Sequence, residues 1–324
     1  MISEMQDDSV HMTCMEIWGG NQTADNAVTM SGLDAWIYSK PYGQADGGGD
    51  VYYVSSCATG RITRLLLADV SGHGKMVADI ATVLRRLMQK YVNFIDQSSF
   101  VTSMNHQFTE LSAAGCFATA IVSTFFAPTN ELTLCIAGHP SPLIYRAATK
   151  RWSYLAEVND ESSTNIPLGI DQITDWMQFG VELNLGDLVL CYTDSLIESH
   201  GNDGEMLGLA GLLEIANQIE LNDPGVFTRT LLDAIASRAE GNLSMDDVTV
   251  LLFRPNGARS ASFMQRAFAP IRMLAGVACS ILPGSRPAPW PEMSLANIGG
   301  AVFAPMSRYW SKRNAIHKAK VSRP

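Results

Sequence analysis

Four clusters of aspartates stand where strand-like segments of the sequence begin or end, and their carboxylates could hold hard metal ions. The clusters contain Asp50, Asp69, Asp194 and the adjacent pair Asp246 and Asp247. Aspartate is depleted in strands, and helix capping or turn formation would explain any one of these positions alone. Together they favour an oxygen-ligand site for Mg²⁺ or Mn²⁺, in which one carboxylate bridges two ions and others flank them.

The periodicity of apolar residues predicts the elements that must position these carboxylates. Residues 63–70 form an apolar run that ends in a glycine-rich turn, and from 75 to 92 apolar residues recur at helical spacing. Further helices are predicted over 98–112, 207–219 and 225–240, and further strands over 118–126, 132–137, 143–146, 188–193 and 248–253. Because helices and strands do not alternate as in a βαβ chain, the pattern favours an α+β sandwich over a doubly wound sheet.

The ordered motifs of the chain resemble those of the metal-dependent serine/threonine phosphatases of the PPM, or protein phosphatase 2C, superfamily. Within it, the likeness is to the bacterial branch typified by sporulation stage II protein E and the phosphatases of sigma-factor stress pathways. The likeness covers about residues 40–254, and the motifs are specific as a set. They are Gly48-Gly-Asp50, Asp69-Val-Ser-Gly-His-Gly74, Ala137-Gly-His-Pro140, Pro167-Leu-Gly169, Gly186-Asp187, Tyr192-Thr-Asp194 and Asp246-Asp-Val-Thr249.

This resemblance implies an αββα four-layer sandwich, with two central antiparallel sheets flanked by helix pairs and two Mn²⁺ or Mg²⁺ ions at one edge. Asp69 would bridge the ions, and Asp194 and Asp246 would complete one of them. Asp50 and the Val70 carbonyl would hold the other ion. The implied reaction is hydrolysis of phosphoserine or phosphothreonine by a metal-activated water, with Asp69, Asp194 and Asp246 as the catalytic carboxylates.

Other residues beside the predicted ligands have less defined roles. Asp247 would support the ligands or cap the turn, and the choice between Asp246 and Asp247 as ligand stays open. His73 is a candidate general acid, but a histidine bonded to backbone in a tight turn is the more common arrangement, and this holds more strongly for His139. Ser195 replaces the glycine usual in the family, and it is the feature behind the alternative function: a weak or inactive relative that binds a phosphoprotein as a regulatory module. The intact predicted ligands argue against this alternative.

Composition and charge limit the function further. The 324-residue chain has 47% hydrophobic and 17% charged residues, as globular proteins do. Residues 1–255 carry 13 Lys and Arg against 31 Asp and Glu, whereas 256–324 carry 10 against 1. The strong excess of acidic residues in 1–255 would repel nucleic acid, so no nucleic-acid partner is expected. The basic tail is expected to dock on the body or to extend loosely, with membrane contact the less favoured alternative.

We predict three regions: an N-terminal extension over 1–33, a PPM-type phosphatase domain over 34–255, and a basic, proline-containing tail over 256–324, partly ordered or docked. The six cysteines include no Cys-x-x-Cys pair and suit reduced thiols. The acidic start lacks the pattern of a secretory signal, so a cytoplasmic protein is expected.

Substrate and partners follow from the resemblance alone. It implies a phosphoprotein substrate in a bacterial partner-switching pathway, such as an anti-sigma-factor antagonist. The helix predicted over 75–92 is a candidate contact for a regulatory partner, because it follows the Asp69 turn directly. Hydrolysis of small phosphate esters is a further hypothesis.

Overall fold

The computed structural model describes residues 10–11, 17–56, 60–72, 75–91, 97–111, 115–155, 165–171 and 176–258. The strands of this part are β1 (Val10–His11), β2 (Ile17–Gly20), β3 (Ala24–Met30), β4 (Leu33–Lys40), β5 (Asp50–Ser56), β6 (Ile62–Val70), β7 (Ala118–Phe126), β8 (Glu131–Ala137), β9 (Leu143–Arg146), β10 (Arg151–Tyr154), β11 (Phe179–Glu182), β12 (Leu188–Tyr192) and β13 (Val248–Pro255). The α-helices are α1 (Lys75–Tyr91), α2 (Gln97–Leu111), α3 (Ser195–Glu198), α4 (Gly208–Gln218) and α5 (Pro224–Ala236).

The strands build two sheets. The first sheet has the order β1-β3-β4-β13-β12-β9-β10, and the second has the order β11-β8-β7-β6-β5-β2. Paired strands run antiparallel, except that the two residues of β1 pair parallel with β3. Successive side chains of a strand point to opposite faces, so each sheet can bury one face against the other sheet and its second face against helices.

Three clusters of buried apolar side chains separate four layers. Side chains such as Ile37 and Leu65 fill the space between the two sheets. Leu84 and Phe108 belong to the cluster that joins α1 and α2 to the second sheet. Phe227 belongs to the cluster that joins α4 and α5 to the first sheet. The predicted α+β fold, an αββα four-layer sandwich with flanking helix pairs, is confirmed.

Local sequence signals explain where the helices run. In α1, apolar residues predicted to form one face are buried against the second sheet, among them Val77, Ile80 and Leu84. In α5 the Asp223 side chain accepts from the Val226 N–H, and proline occupies the first helical position. These signals are why the predicted helices agree with the structure to within a few residues at each end.

Strands that precede residue 34 also belong to the sandwich. β3 pairs with β4 from Ala24 opposite Ser39 to Met30 opposite Leu33, and β2 pairs with β5. The first sheet therefore begins before the predicted start of the phosphatase domain. The boundaries of the three predicted regions stay a prediction, since the tail beyond Ala258 lies outside the described residues. His73, the candidate general acid, also lies outside the described residues.

Two further findings bear on the expected environment. Among the described cysteines, Cys116, Cys135 and Cys191 are free thiols. None of the helices in the described ranges combines the length and the apolar character that crossing a bilayer requires.

Candidate metal centre

In the second sheet, Asp50 and Asp69 lie side by side at one edge. β5 begins at Asp50, β6 ends one residue after Asp69, and the antiparallel register places the two aspartates opposite each other. On the other side of Asp69 the register places Thr119 of β7. Asp50 is buried and Asp69 is partly buried, so two carboxylates share a poorly solvated position.

In the first sheet, Asp194 and Asp246 stand at the matching end of a strand pair. β12 ends at Tyr192 and runs antiparallel to β13, which begins at Val248. Asp194 follows β12 by two residues and Asp246 precedes β13 by two residues, so both flank the same end of the pair.

Electrostatic coupling joins the carboxylates of the two sheets. Burial, followed in order of size by the charges of Asp194, Asp246, Asp247 and Glu198, raises the pKa of Asp69 to about 8. Burial raises the pKa of Asp194 to about 6, with contributions from the charges of Glu198 and Asp246. Carboxylates that are both desolvated and close to like charges favour the uptake of a cation or a proton.

The donor chemistry fits a hard divalent cation. The candidate donors are carboxylates and one backbone carbonyl, which are the ligands that Mg²⁺ and Mn²⁺ prefer. Gly49 leaves the Val70 carbonyl accessible, since a Cβ at Gly49 would lie 3.0 Å from Val70 O. Within the described ranges, no three His, Cys, Asp or Glu side chains are already arranged so that they could hold one ion together. The carboxylates share one edge without yet converging on a single point.

Asp50 is bonded to the segment that leads to Asp194. Thr193 Oγ1 donates to Asp50 Oδ2 at 2.9 Å, and the same hydroxyl accepts from the Thr249 N–H at 3.0 Å. Burial and the charge of Asp69 raise the pKa of Asp50 well above its usual value, while hydrogen bonds from Thr249 and Thr193 oppose that rise. The orientation of Asp50 is therefore fixed by a contact between the two sheets.

Asp247 caps the turn formed by Gly48 and Gly49. Its carboxylate accepts from the Tyr42 N–H at 2.6 Å and from the Gly49 N–H at 2.5 Å, and the residue is only 8% exposed. A Cβ at Gly48 would lie 2.4 Å from this carboxylate, which explains the glycine. Asp246 is exposed. Both oxygens of Asp247 bond backbone, and Oδ1 of Asp246 accepts from the Asp247 N–H at 2.8 Å. Because Asp246 is exposed and Asp247 is buried, Asp246 is the more accessible candidate ligand.

Ser195 fits its position without backbone strain. It begins α3, and it is not among the described residues with positive φ, so the backbone there does not demand glycine. The side chain is buried, with Oγ 3.5 Å from Thr193 Oγ1. The replacement of glycine therefore adds a hydroxyl next to the Thr193 contact and leaves the carboxylates in place.

His139 is a buried histidine bonded to backbone, as its sequence context favoured. Its Nε2 lies 2.9 Å from Tyr192 O, and its Nδ1 lies 2.8 Å from Thr119 Oγ1. Burial lowers its pKa to about 4. In the neutral ring both nitrogens are already hydrogen-bonded, so His139 is not placed to protonate a leaving group.

Sequence reasoning missed Glu198. This residue lies one helical turn after Asp194, and its N–H donates to Asp194 O at 2.9 Å. Its charge raises the pKa of both Asp69 and Asp194. The spacing of four residues between Asp194 and Glu198 was the signal that could have found it, because residues four apart lie on one helix face.

The Gly186-Asp187 motif has a structural role away from this edge. Asp187 precedes β12 and so lies at the opposite end of that strand from Asp194. It accepts from Arg146 Nη1 at 2.8 Å and from the Ala147 N–H at 2.9 Å. The motif therefore fixes the turn that starts β12.

The four-layer sandwich is similar to the fold of bacterial PP2C-type phosphatase domains. The chain is similar to the RsbU and RsbW domains of Rv1364c from Mycobacterium tuberculosis, with 22% identity, a TM-score of 0.60, and coverage of 80% of this chain and 72% of that chain. The PP2C phosphatase domain of SpoIIE with a fragment of its regulatory domain, from Bacillus subtilis, has 17% identity, a TM-score of 0.56, and coverage of 75% and 64%. RsbX in complex with magnesium has 12% identity, a TM-score of 0.53, and coverage of 72% and 100%.

The family of the chain is shown by its sequence. The family model described as Stage II sporulation protein E (SpoIIE) matches residues 59–256, which is more than half of the 324 residues. The chain belongs to the SpoIIE family. The match includes Asp69, Asp194 and Asp246, whereas Asp50 precedes it. Family and fold are together those of a PP2C-type bacterial serine/threonine phosphatase.

Proposed function

We propose that this chain is a Mn²⁺- or Mg²⁺-dependent phosphatase that hydrolyses phosphoserine or phosphothreonine in a protein. The observation that carries the proposal is the gathering of carboxylates from both sheets at one edge, where burial and like charge raise the pKa of Asp69 to about 8. A phosphate group would be repelled by such an edge unless cations bound there first. The all-oxygen donor set supports divalent cations in that role.

The proposed ligand set follows the strand ends. Asp69 would contribute to both of two ions, Asp194 and Asp246 would complete the ligands of one, and Asp50 with the Val70 carbonyl would hold the other. Bound divalent cations supply a water of lowered pKa and offset charge on the phosphoryl oxygens.

Two neighbouring contacts keep these ligands in place. The hydroxyl of Thr193 orients Asp50 at 2.9 Å. Asp247 holds the Gly49 N–H at 2.5 Å, which fixes the turn that leads into Asp50. Both side chains act on the ligands and not on the phosphate.

Apolar side chains at the rim of the site support a protein substrate. Met245, which is 76% exposed, directly precedes Asp246. Phe117, which is 36% exposed, bonds Ser71 through backbone and side chain and so lies beside the Val70 turn. These exposed apolar side chains could pack against a protein substrate, but they would contribute little to the binding affinity of a small phosphate ester. A phosphoprotein of a partner-switching pathway, such as an anti-sigma-factor antagonist, is the proposed substrate.

The first turns of α1 are a proposed contact for a regulatory partner. Asn21 Nδ2 donates to Gly48 O at 3.0 Å and to Ala78 O at 3.4 Å, which joins α1 to the turn before Asp50. A shift of α1 would therefore move this turn. Val77→Ala removes apolar side-chain atoms from the contact between α1 and the turn before Asp50. It should change the Mn²⁺ concentration for half-maximal turnover. Unchanged metal dependence and turnover would count against this role.

The test of the proposed function is phosphate release from a phosphoserine protein and from p-nitrophenyl phosphate, with Mn²⁺, with Mg²⁺ and with EDTA. Turnover should require metal and should fall by at least about 100-fold in Asp69→Asn, since loss of a supporting residue alone commonly costs 10- to 100-fold.

Asp34→Asn is the matched control, because Asp34 is a partly buried carboxylate at the Arg254 end of β4, away from the site. Its turnover should match that of the wild type. A folded wild type with no turnover under either metal would reject the enzyme and favour the phosphoprotein-binding module. Faster turnover of nucleotides than of phosphopeptides would instead favour a hydrolase of small phosphate esters.

A further inference from the structure

The two residues that flank Asp69 in the second sheet are each connected to the first sheet by hydrogen bonds. Its neighbours in the second sheet are Asp50 on β5 and Thr119 on β7. Asp50 Oδ2 accepts from Thr193 Oγ1 at 2.9 Å. Thr119 is connected to the same segment of the first sheet through the ring of His139. The central carboxylate is thus flanked by two contacts that span the sandwich.

The second contact has only one hydrogen-bonding arrangement. A carbonyl oxygen can only accept, so His139 Nε2 carries the hydrogen and donates to Tyr192 O at 2.9 Å. Nδ1 then has no hydrogen and accepts from Thr119 Oγ1 at 2.8 Å. The ring is 3% exposed, which leaves water no access to replace either bond.

The Tyr192 carbonyl needs this donor because β9 does not reach it. The register of β9 with β12 ends at Leu143 opposite Leu190. The Thr193 N–H donates to Thr249 O on β13, so the peptide groups of Tyr192 point to the opposite side, towards β9. A buried carbonyl without a partner is destabilising, and His139 provides the partner.

The turn before His139 is built to place its ring. Gly138 has a φ of 64°, which favours glycine, and a Cβ there would lie 2.5 Å from Pro167 Cγ. On the far side of the ring, Tyr192 Oη donates to Ser141 O at 2.8 Å, a second bond between the same two segments. The end of β12 is therefore held to the segment that follows β8.

We propose that Thr119 and His139 form a positioning clamp that sets the spacing between Asp69 and Asp194, and with it the affinity of the site for divalent cations. Thr119 acts through the strand pair that contains Asp69, and His139 acts through Tyr192, two residues before Asp194. Neither clamp residue is a ligand. The effect on metal affinity rests on the proposed function, whereas the effect on spacing does not.

The test compares Thr119→Val, His139→Ala and His139→Gln with a control, Thr228→Val. Thr119 is partly buried and Thr228 is buried, and the Thr228 hydroxyl donates to Pro224 O within α5 and not between the sheets. Mn²⁺ binding is measured by calorimetry on variants whose folding is verified by circular dichroism. We expect Thr119→Val and His139→Ala to weaken binding by about 10-fold or more, as loss of supporting residues does elsewhere.

Further comparisons separate a clamp from general packing. His139→Gln should recover part of the affinity, because its amide can donate to Tyr192 O, and Thr228→Val should bind Mn²⁺ as the wild type does. The double variant of Thr119 and His139 should lose little more than either single variant, since both remove the same contact. Folded clamp variants that keep the wild-type affinity would overturn the proposal. If His139→Ala does not fold, Thr119→Val, which preserves volume, decides alone.

A measurement without metal separates this proposal from the proposed function. Amide hydrogen exchange of Thr193 and Asp194 in metal-free protein should be faster in Thr119→Val than in the wild type or in Thr228→Val. Failure of the wild type to bind Mn²⁺ would reject the proposed metal site, and the exchange rates would then decide whether the clamp sets the spacing. Equal exchange in all three proteins would reject the clamp.

Discussion

β12 has an aspartate beyond each of its ends, and the two differ in what surrounds their charge. Asp187 accepts from the Arg146 guanidinium at 2.8 Å and from the Ala147 N–H at 2.9 Å. Around Asp194 the charged neighbours that shift its pKa are carboxylates, of which Asp246 is one. The protein itself compensates a buried charge at one end of the strand, and at the other end it gathers charges that an added cation or a proton must compensate.

The largest expected difference between these two ends is in turnover. Asp194→Asn should reduce metal-dependent phosphate release by more than about 100-fold, because it removes a proposed ligand and not a supporting contact. Asp187→Asn should keep its metal dependence but lower the free energy of unfolding by about 1–3 kcal/mol, because Arg146 and a backbone N–H lose a charged acceptor. Steady-state kinetics and urea unfolding of both variants measure the two effects. Equal effects of both substitutions on turnover would refute the distinction.

A pH dependence of metal-free stability is the next largest effect. The pKa of Asp69 is raised to about 8 in the folded state, so between its unfolded value of about 4 and about 8 the folded state retains a proton that the unfolded state has lost. Its contribution to stability is therefore complete at low pH and is lost as the pH rises. His139, with a pKa lowered to about 4, acts oppositely from about 6.5 downwards and is silent above that value.

The interval above the range of His139 reports on the raised carboxylates, Asp69 and Asp50, which act in the same direction. From about pH 6.5 to 8 the free energy of unfolding in EDTA should fall by up to about 1.4 kcal/mol per pH unit. Asp69→Asn should reduce this slope, and saturating Mn²⁺ should remove it, since a bound cation replaces the proton. Urea unfolding at several pH values measures the slope. If the free energy of unfolding of the metal-free wild type rises over this interval, the claim that the carboxylates at this edge are uncompensated is wrong.

The adjacent aspartates before β13 differ in the same way as Asp187 and Asp194: one is compensated by the protein and the other is not. Asp247 is compensated by backbone N–H groups, whereas Asp246 is exposed and raises the pKa of Asp69 and Asp194. Asp247→Asn should lower the free energy of unfolding by about 1–3 kcal/mol, since it loses the charge that receives these bonds. Asp246→Asn should leave stability unchanged and weaken Mn²⁺ binding by about 10-fold or more. The reverse result in calorimetry and urea unfolding would assign the ligand to Asp247.

The sequence could predict the elements of the site but not how its charges are compensated. Apolar periodicity located α1 and the strands on either side of it, because burial of one face is a local signal. The distinction between Asp187 and Asp194 depends on which strand end reaches Arg146, and that is a property of the sheet register. The strands β3 and β4 went unpredicted. Burial alternates along β4, but Trp36 and Tyr38 on its less buried face are also aromatic and pack against the cluster beneath the helices, so apolar and polar residues do not alternate in its sequence.

Glu198 and His139 illustrate the two ways in which local reasoning falls short. Glu198 had a usable signal in its spacing from Asp194, but its effect on Asp69 arises only because the two sheets meet. His139 could be predicted to bond backbone, yet its partners Thr119 and Tyr192 come from different sheets. Contacts that span the sandwich have no periodicity along the chain, so no pattern in one segment reveals them.

The smallest expected effect is that of Ser195→Gly, which restores the residue usual in the family. Ser195 already has a helical backbone, and its hydroxyl is 3.5 Å from Thr193 Oγ1, so its removal relieves no strain and loses little. We expect turnover within about threefold of the wild type and a loss of roughly 0.5 kcal/mol in the free energy of unfolding, since glycine is the poorer helix former. Kinetics at saturating Mn²⁺ check the first value and urea unfolding the second. A rise in turnover of tenfold or more would instead mean that the Ser195 hydroxyl, and not the compensation of the carboxylates, limits the wild-type enzyme.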